Sequence, residues 1–175
     1  MCDCEKIQGL ILVKLLNNLY SFFSSSDFEK NVSMLIGYRT RNFELFRTAL
    51  NHRSVKDSPT ENNERLEFLG DSILNTVISQ YLFLKFSNEK EGLLTRMRAY
   101  LVKAETLTMK AEELGLIDYI QLSKGTANLS RERKNSILED SFEAAIGAIF
   151  LDSGWDQVNM IVLGIFNNEL KHLSA

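Results

Sequence analysis

Proline occurs once in this sequence of 175 residues, tryptophan once, and cysteine and histidine twice each. With one proline, dispersed glycines and few alternating runs, a turn-rich β architecture is excluded, and apolar residues recurring at three and four predict an all-α fold. The two cysteines, Cys2 and Cys4, cannot build a disulfide framework. With His52 and His172 the only histidines, the chain also lacks the soft ligands of a zinc site, so the pair reads as incidental and reduced. No apolar stretch reaches ~18 residues free of charges and amides, which predicts no membrane span. Met1-Cys2-Asp3-Cys4-Glu5 is too acidic for a leader, and a cytoplasmic location is expected. A strong basic excess is missing as well: the net charge of −3 counts against a binder of nucleic acid by charge alone. Nothing calls for a small-molecule cofactor.

What is present is 45% hydrophobic residues, enough for one compact domain with a sizeable core. The charge is unevenly spread. Residues 93–137 hold Arg96, Arg98, Lys103, Lys110, Lys124, Arg131, Arg133 and Lys134 against five acids, and the acids concentrate on either side. This is either a solvated surface or a phosphate-facing strip beside an acidic site. Periodicity predicts helices over 5–24, 28–36 with Gly37 as C-cap, 42–51, a central helix to about Phe86, a long helix from Lys90 to Glu113 ended by Gly115, then 130–152, and 156–172 after Gly154-Trp155. Ser58-Pro59-Thr60-Glu61 and Asn62 compete as the start of the central helix.

The central helix carries the chemistry. Glu64, Glu67 and Asp71 fall at i, i+3 and i+7, which places three carboxylates on one face, away from an apolar stripe through Leu66, Leu69, Ile73 and Val77. Like charges so placed repel, and they are tolerated where a cation, basic side chains or water offset them. A second pair, Asp140 and Glu143, shares a helix face with the small residues Ala144 and Gly147, as Asp71 does with Gly70. Two helices crossing at those small residues would bring Glu67, Asp71, Asp140 and Glu143 into one cavity. Four carboxylates without imidazole or thiolate suit a hard cation, Mg²⁺ or Mn²⁺, and phosphodiester hydrolysis is the leading reaction. Spacing alone leaves two unrelated solvated faces as the other reading.

The run Asn63-Glu64-Arg65-Leu66-Glu67-Phe68-Leu69-Gly70-Asp71-Ser72-Ile73-Leu74 resembles the signature of the ribonuclease III catalytic domain, the family of double-stranded-RNA endonucleases. Leu50-Asn51-His52-Arg53-Ser54, Glu91-Gly92 with Arg96-Met97-Arg98-Ala99, and Glu139 to Ala148 match in the same order, covering about residues 29–160. The resemblance implies that Glu67, Asp71, Asp140 and Glu143 are the catalytic, metal-holding acids, with Glu64 and Glu91 in support. It also implies a homodimer acting on double-stranded RNA in RNA processing, leaving 5′-phosphate and 3′-hydroxyl ends with short 3′ overhangs. Residues 1–27 would be a helical extension and 28–175 the catalytic domain, without the double-stranded-RNA-binding domain that many members add.

Phe68 lies roughly 150° around the helix from the Leu66/Leu69/Ile73 stripe, which favours a partner-facing role over burial within the chain. Arg96, Arg131, Arg133 and Lys134 are candidate RNA contacts, or simply solvated. His52-Arg53-Ser54 reads as a structural tie between the preceding helix and the signature. The rival function is a non-catalytic double-stranded-RNA-binding or ribosome-assembly module with the same fold, against which the four intact acids count.

Overall fold

The computed structural model describes residues 40–55, 58–126 and 130–173, together with Ser33, Gly37 and Tyr38. The helix expected over 5–24 lies outside the described residues, as does the one over 28–36 apart from Ser33. Among the described residues there are six α-helices: α1 Phe43–Ala49, α2 Glu64–Lys85, α3 Glu91–Leu101, α4 Ala104–Glu113, α5 Arg131–Ile165 and α6 Asn167–His172, with a 3₁₀ turn at Leu116–Asp118. Among the described residues there is no strand, only an isolated bridge between Asn51 and Gln121. The expected all-α class is what the structure shows. No described helix is long and apolar enough to cross a membrane.

The two long helices, α2 and α5, make the most extensive pairing, and α4, α1 and α3 pack around them. Their contact is close because it is made by glycines. A Cβ on Gly70 would overlap the Glu143 carbonyl, and one on Gly147 would overlap the Leu66 carbonyl. Around this crossing Leu74, Val77, Ile78, Ala144, Ile146 and Ala148 are fully or almost fully buried. Each large aliphatic among them contributes roughly 1.5–3 kcal/mol of burial. The buried face of α2 is therefore Leu66, Gly70, Leu74, Val77, Ile78 and Leu82, with Leu69 and Ile73 only half-buried. This corrects the expected stripe: Gly70 carries no hydrophobic signal yet marks the line of contact, so the acids border the core instead of lying well away from it.

Of the two competing start signals, Asn62 is the one that serves α2: Asn63 is the N-cap residue, and Asn62 Oδ1, one residue earlier, accepts from the Glu64 amide at 3.2 Å. Ser58 instead closes a separate turn, its carbonyl accepting from the Glu61 and Asn62 amides. Two long helices expected from periodicity are broken. Lys103 is extended (φ −71°, ψ 153°), splitting 90–113 into α3 and α4 and letting Leu101 and Leu107 both reach the core. Phe166 leaves helical geometry, buries its ring edge-on against Phe142 at 6.3 Å between centroids, and separates α6 from α5. Gly154 breaks α5 as expected, at φ 79°. Just before it, Asp152 accepts from Tyr38 Oη (2.8 Å), Thr40 Oγ1 (3.0 Å) and the Arg41 and Asn42 amides, which pins the entry to α1 onto α5. Behind the site, the buried Lys110 pairs with Glu113 (2.9 Å) and Glu169 (2.7 Å), fastening α6 to α4.

Candidate active site

The Gly70 and Gly147 contact fixes where the acids stand. Glu67 and Asp71 flank Gly70 on α2, while Asp140 and Glu143 precede Gly147 by two turns and one turn on α5, so all four border one crossing. A cleft of about 150 Å³ opens beside it, lined by His52, Arg53, Asn63, Glu64, Glu67 and Asp140. Glu67, Asp140 and Glu143 are partly buried and Asp71 is exposed, its Oδ1 accepting from Asn75 Nδ2 at 2.7 Å.

The electrostatics show that these carboxylates sense one another. Burial, followed by the charges of Asp140 and Glu64, pushes Glu67 up to about 7. Burial, followed by the charges of Asp71, Glu139, Glu67 and Asp140, pushes Glu143 up to about 8. Asp140 is raised too, chiefly by burial, against the opposing pull of Arg53. Desolvation and like charge both disfavour ionised carboxylates, and such shifts concentrate at working sites. The sequence predicted a four-carboxylate cavity, but among the described residues no three of these side chains close on a single point as ligands. The acids share a field and a crossing without forming a closed cage.

The loop 51–54 enters this site, where only a structural tie was expected of His52-Arg53-Ser54. It does tie segments together: the Gln121 amide donates to Leu50 O (2.8 Å), the His52 amide to Gln121 O (3.2 Å), the Asn63 amide to Asn51 O (3.0 Å) and the Ser123 amide to Ser54 Oγ (3.2 Å). His52 Nδ1 accepts the Ser54 amide, which leaves the ring proton on Nε2. Burial and then Arg53 hold His52 below the usual histidine range. Arg53, however, projects to the acids, with Nη1 3.0 Å from Glu64 Oε1.

A family model described as ribonuclease-III-like matches residues 42–169. The chain belongs to the ribonuclease-III-like family. It is 45% identical over 139 residues to the Ribonuclease 3 of Nitrosococcus oceani, covering 79% of this chain and 58% of that protein. It is 46% identical to the Azotobacter vinelandii Ribonuclease 3, covering 79% and 59%. The chain thus spans rather more than half the length of these curated relatives. The nuclease domain of ribonuclease III from Campylobacter jejuni superposes with a TM-score of 0.76 at 38% identity, covering 81% of this chain and 98% of that domain. Dicer from Pichia stipitis gives 0.57 at 28%, covering 75% of this chain and 57% of that one.

The remaining expected residues of this ribonuclease-III-like chain fall in different places. Glu64 joins the cleft. Glu91 does not line it; it sits exposed in the first turn of α3, accepting from Thr95 Oγ1 at 2.7 Å. Arg96 is exposed on α3, and Arg131, Arg133 and Lys134 are exposed in the opening turn of α5, on the helix that carries Asp140. Phe68 is 78% exposed, so it is not covered by the chain's own core. His52, Arg53 and Asn63 are the lining residues that sequence reasoning did not assign to the site.

Proposed function

We propose that this chain is a divalent-metal-dependent endoribonuclease that hydrolyses double-stranded RNA, leaving 5′-phosphate and 3′-hydroxyl ends with short 3′ overhangs, and that it works as a homodimer. The observation that carries the reading is the glycine-to-backbone crossing of α2 and α5, which sets Glu67 and Asp71 beside Asp140 and Glu143. Folding there accepts the burial and mutual repulsion of several carboxylates, a cost that a cation offsets. The donor set fits a hard ion in kind, being all carboxylate oxygen, and Glu67, Asp71, Asp140 and Glu143 would hold Mg²⁺ or Mn²⁺. Such an ion supplies Lewis acidity, making water a stronger acid and offsetting charge on the phosphate.

The protein's part is placement. The locked crossing holds the four acids at fixed backbone positions, and Glu64 supports them from the first turn of α2, whereas Glu91, expected to do the same, stands outside the cleft. Exposed Arg131, Arg133, Lys134 and Arg96 are placed to meet RNA phosphates. With a net charge of −3, RNA binding should be weak and fall steeply with salt. Recognition would rest on A-form shape and 2′-hydroxyls, with little base reading. The Campylobacter jejuni nuclease-domain structure concerns flexibility in a region involved in dimer formation, and the exposed Phe68 is the candidate dimer contact here.

The test is to incubate the purified chain with Mg²⁺ and double-stranded RNA, single-stranded RNA or double-stranded DNA. Cleavage confined to the RNA duplex is expected. Retained binding with no cleavage would identify a non-catalytic RNA-binding module instead. Glu143→Gln should abolish cutting and leave the dimer intact, as read by gel assay and sedimentation; unchanged turnover would remove Glu143 from the chemistry.

A further inference from the structure

Arg53 stands on a loop that cannot drift. Its neighbours are tied to Gln121, Ser123 and Asn63 by main-chain and Ser54 hydrogen bonds, so the root of the side chain is fixed at the mouth of the cleft. From there its guanidinium takes one oxygen of Glu64 at 3.0 Å, while Asn62 Nδ2 donates to the other at 3.2 Å. Both oxygens of Glu64 are therefore engaged. The other basic lining residue, His52, is held towards its neutral form by burial, which leaves Arg53 as the positive charge among the residues lining the cleft. Its charge opposes the effect of burial on Asp140 and Glu67. The arginine side chain is nevertheless 66% exposed, so it is free to swing away without opening the core.

We propose that Arg53 is a positioning residue that serves the acids as a resident counter-charge, holding Glu64 and lowering the affinity with which the cluster takes up a divalent cation. The inference rests on the metal-dependent reading above. An incoming cation has the same sign as the guanidinium and approaches the same group of carboxylates, so the two compete. Removing the guanidinium leaves the metal-free acids less compensated and the site more negative. The metal-free fold then weakens while its attraction for a cation grows. If the arginine mattered only for folding, its loss would loosen the acids and weaken cation binding, which is the opposite sign.

The experiment titrates Mn²⁺ alone, without RNA, into the full chain and its variants by calorimetry, with circular dichroism to establish that each is folded. Arg53→Met should bind Mn²⁺ more tightly by about fivefold, a size set by a mostly solvated charge at short range. It should also melt at a lower temperature than the wild type without metal. Arg53→Lys, which keeps the charge, should restore binding to within about twofold of wild type. Arg53→Gln provides a second charge-free variant should the methionine variant not fold, and it should tighten binding likewise. Unchanged or weaker Mn²⁺ binding by a folded charge-free variant overturns the proposal and leaves the nuclease reading standing. A wild-type chain that takes up no Mn²⁺ overturns both.

Discussion

Glu67 and Glu143 hold their protons to about pH 7 and about pH 8, whereas a carboxyl of ordinary value 4.5 has released its proton well before. Between those limits the folded chain binds more protons than the unfolded one. The stability this confers is therefore complete below about 4.5 and is lost as the pH rises through the folded values. Asp140 and Glu139, also raised by burial first, act with the same sign. Asp152 works in the other direction. Burial would raise it, but the donors from Arg41, Tyr38, Thr40 and Asn42 more than offset that and hold it below its ordinary 3.8, so its contribution fades only in stronger acid. The melting temperature of the metal-free protein should thus fall from pH 5 to pH 8.5, and Glu143→Gln should flatten the slope. A wild-type profile that is flat or rises over that range would show that these carboxyls are not buried together. Divalent metal should reverse the trend, because binding displaces protons and strengthens as the pH rises.

At the scale of elements, the contact of α2 with α5 carries the site, and it is unusually intolerant of size. Gly70→Ala or Gly147→Ala gains up to ~1 kcal/mol in helix propensity but sets a methyl group against a carbonyl of the opposite helix. Backbone yields less readily than a side chain, so the net loss should lie towards the upper end of the roughly 1–3 kcal/mol typical of overpacking. Urea denaturation measures it, and either alanine variant equal to or more stable than wild type would contradict the crossing. Those glycines were legible in the sequence, as small residues beside acids, and so were the breaks at Gly115 and Gly154, while Asn62 was legible only as one of two competing start signals for α2. The break at Lys103 was not, because Leu101, Ala104 and Leu107 keep helical spacing across it. The charges told more than the apolar residues there, with Arg98 in a last turn and Glu105 in a first. Arg53 was invisible as a cleft residue for a different reason: its place depends on Asn51 meeting Gln121, a pairing between distant segments that no local pattern announces.

For the whole molecule the question is what covers Phe68. It lies on α2 with Ser72, Thr76 and Phe83 on one exposed strip, and Phe83 is itself 68% exposed. A two-fold interface buries two Phe68 side chains, one from each copy, and full burial of a phenylalanine is worth roughly 1.5–3 kcal/mol. Against this, each copy carries −3, so two copies repel at long range and added salt should favour their association. The proposed RNA binding should respond to salt in the opposite sense, since phosphate contacts are lost as salt rises. The two equilibria can therefore be separated. Phe68→Ala should shift the chain to monomer in sedimentation velocity with its far-ultraviolet circular dichroism unchanged, because so exposed a ring contributes little to its own fold. The monomer should also lose paired cuts across the duplex, which need two sites held on opposite strands. If Phe68→Ala still sediments as a dimer at every salt concentration, α2 is not the dimer face and the two-site geometry must be sought elsewhere on the surface.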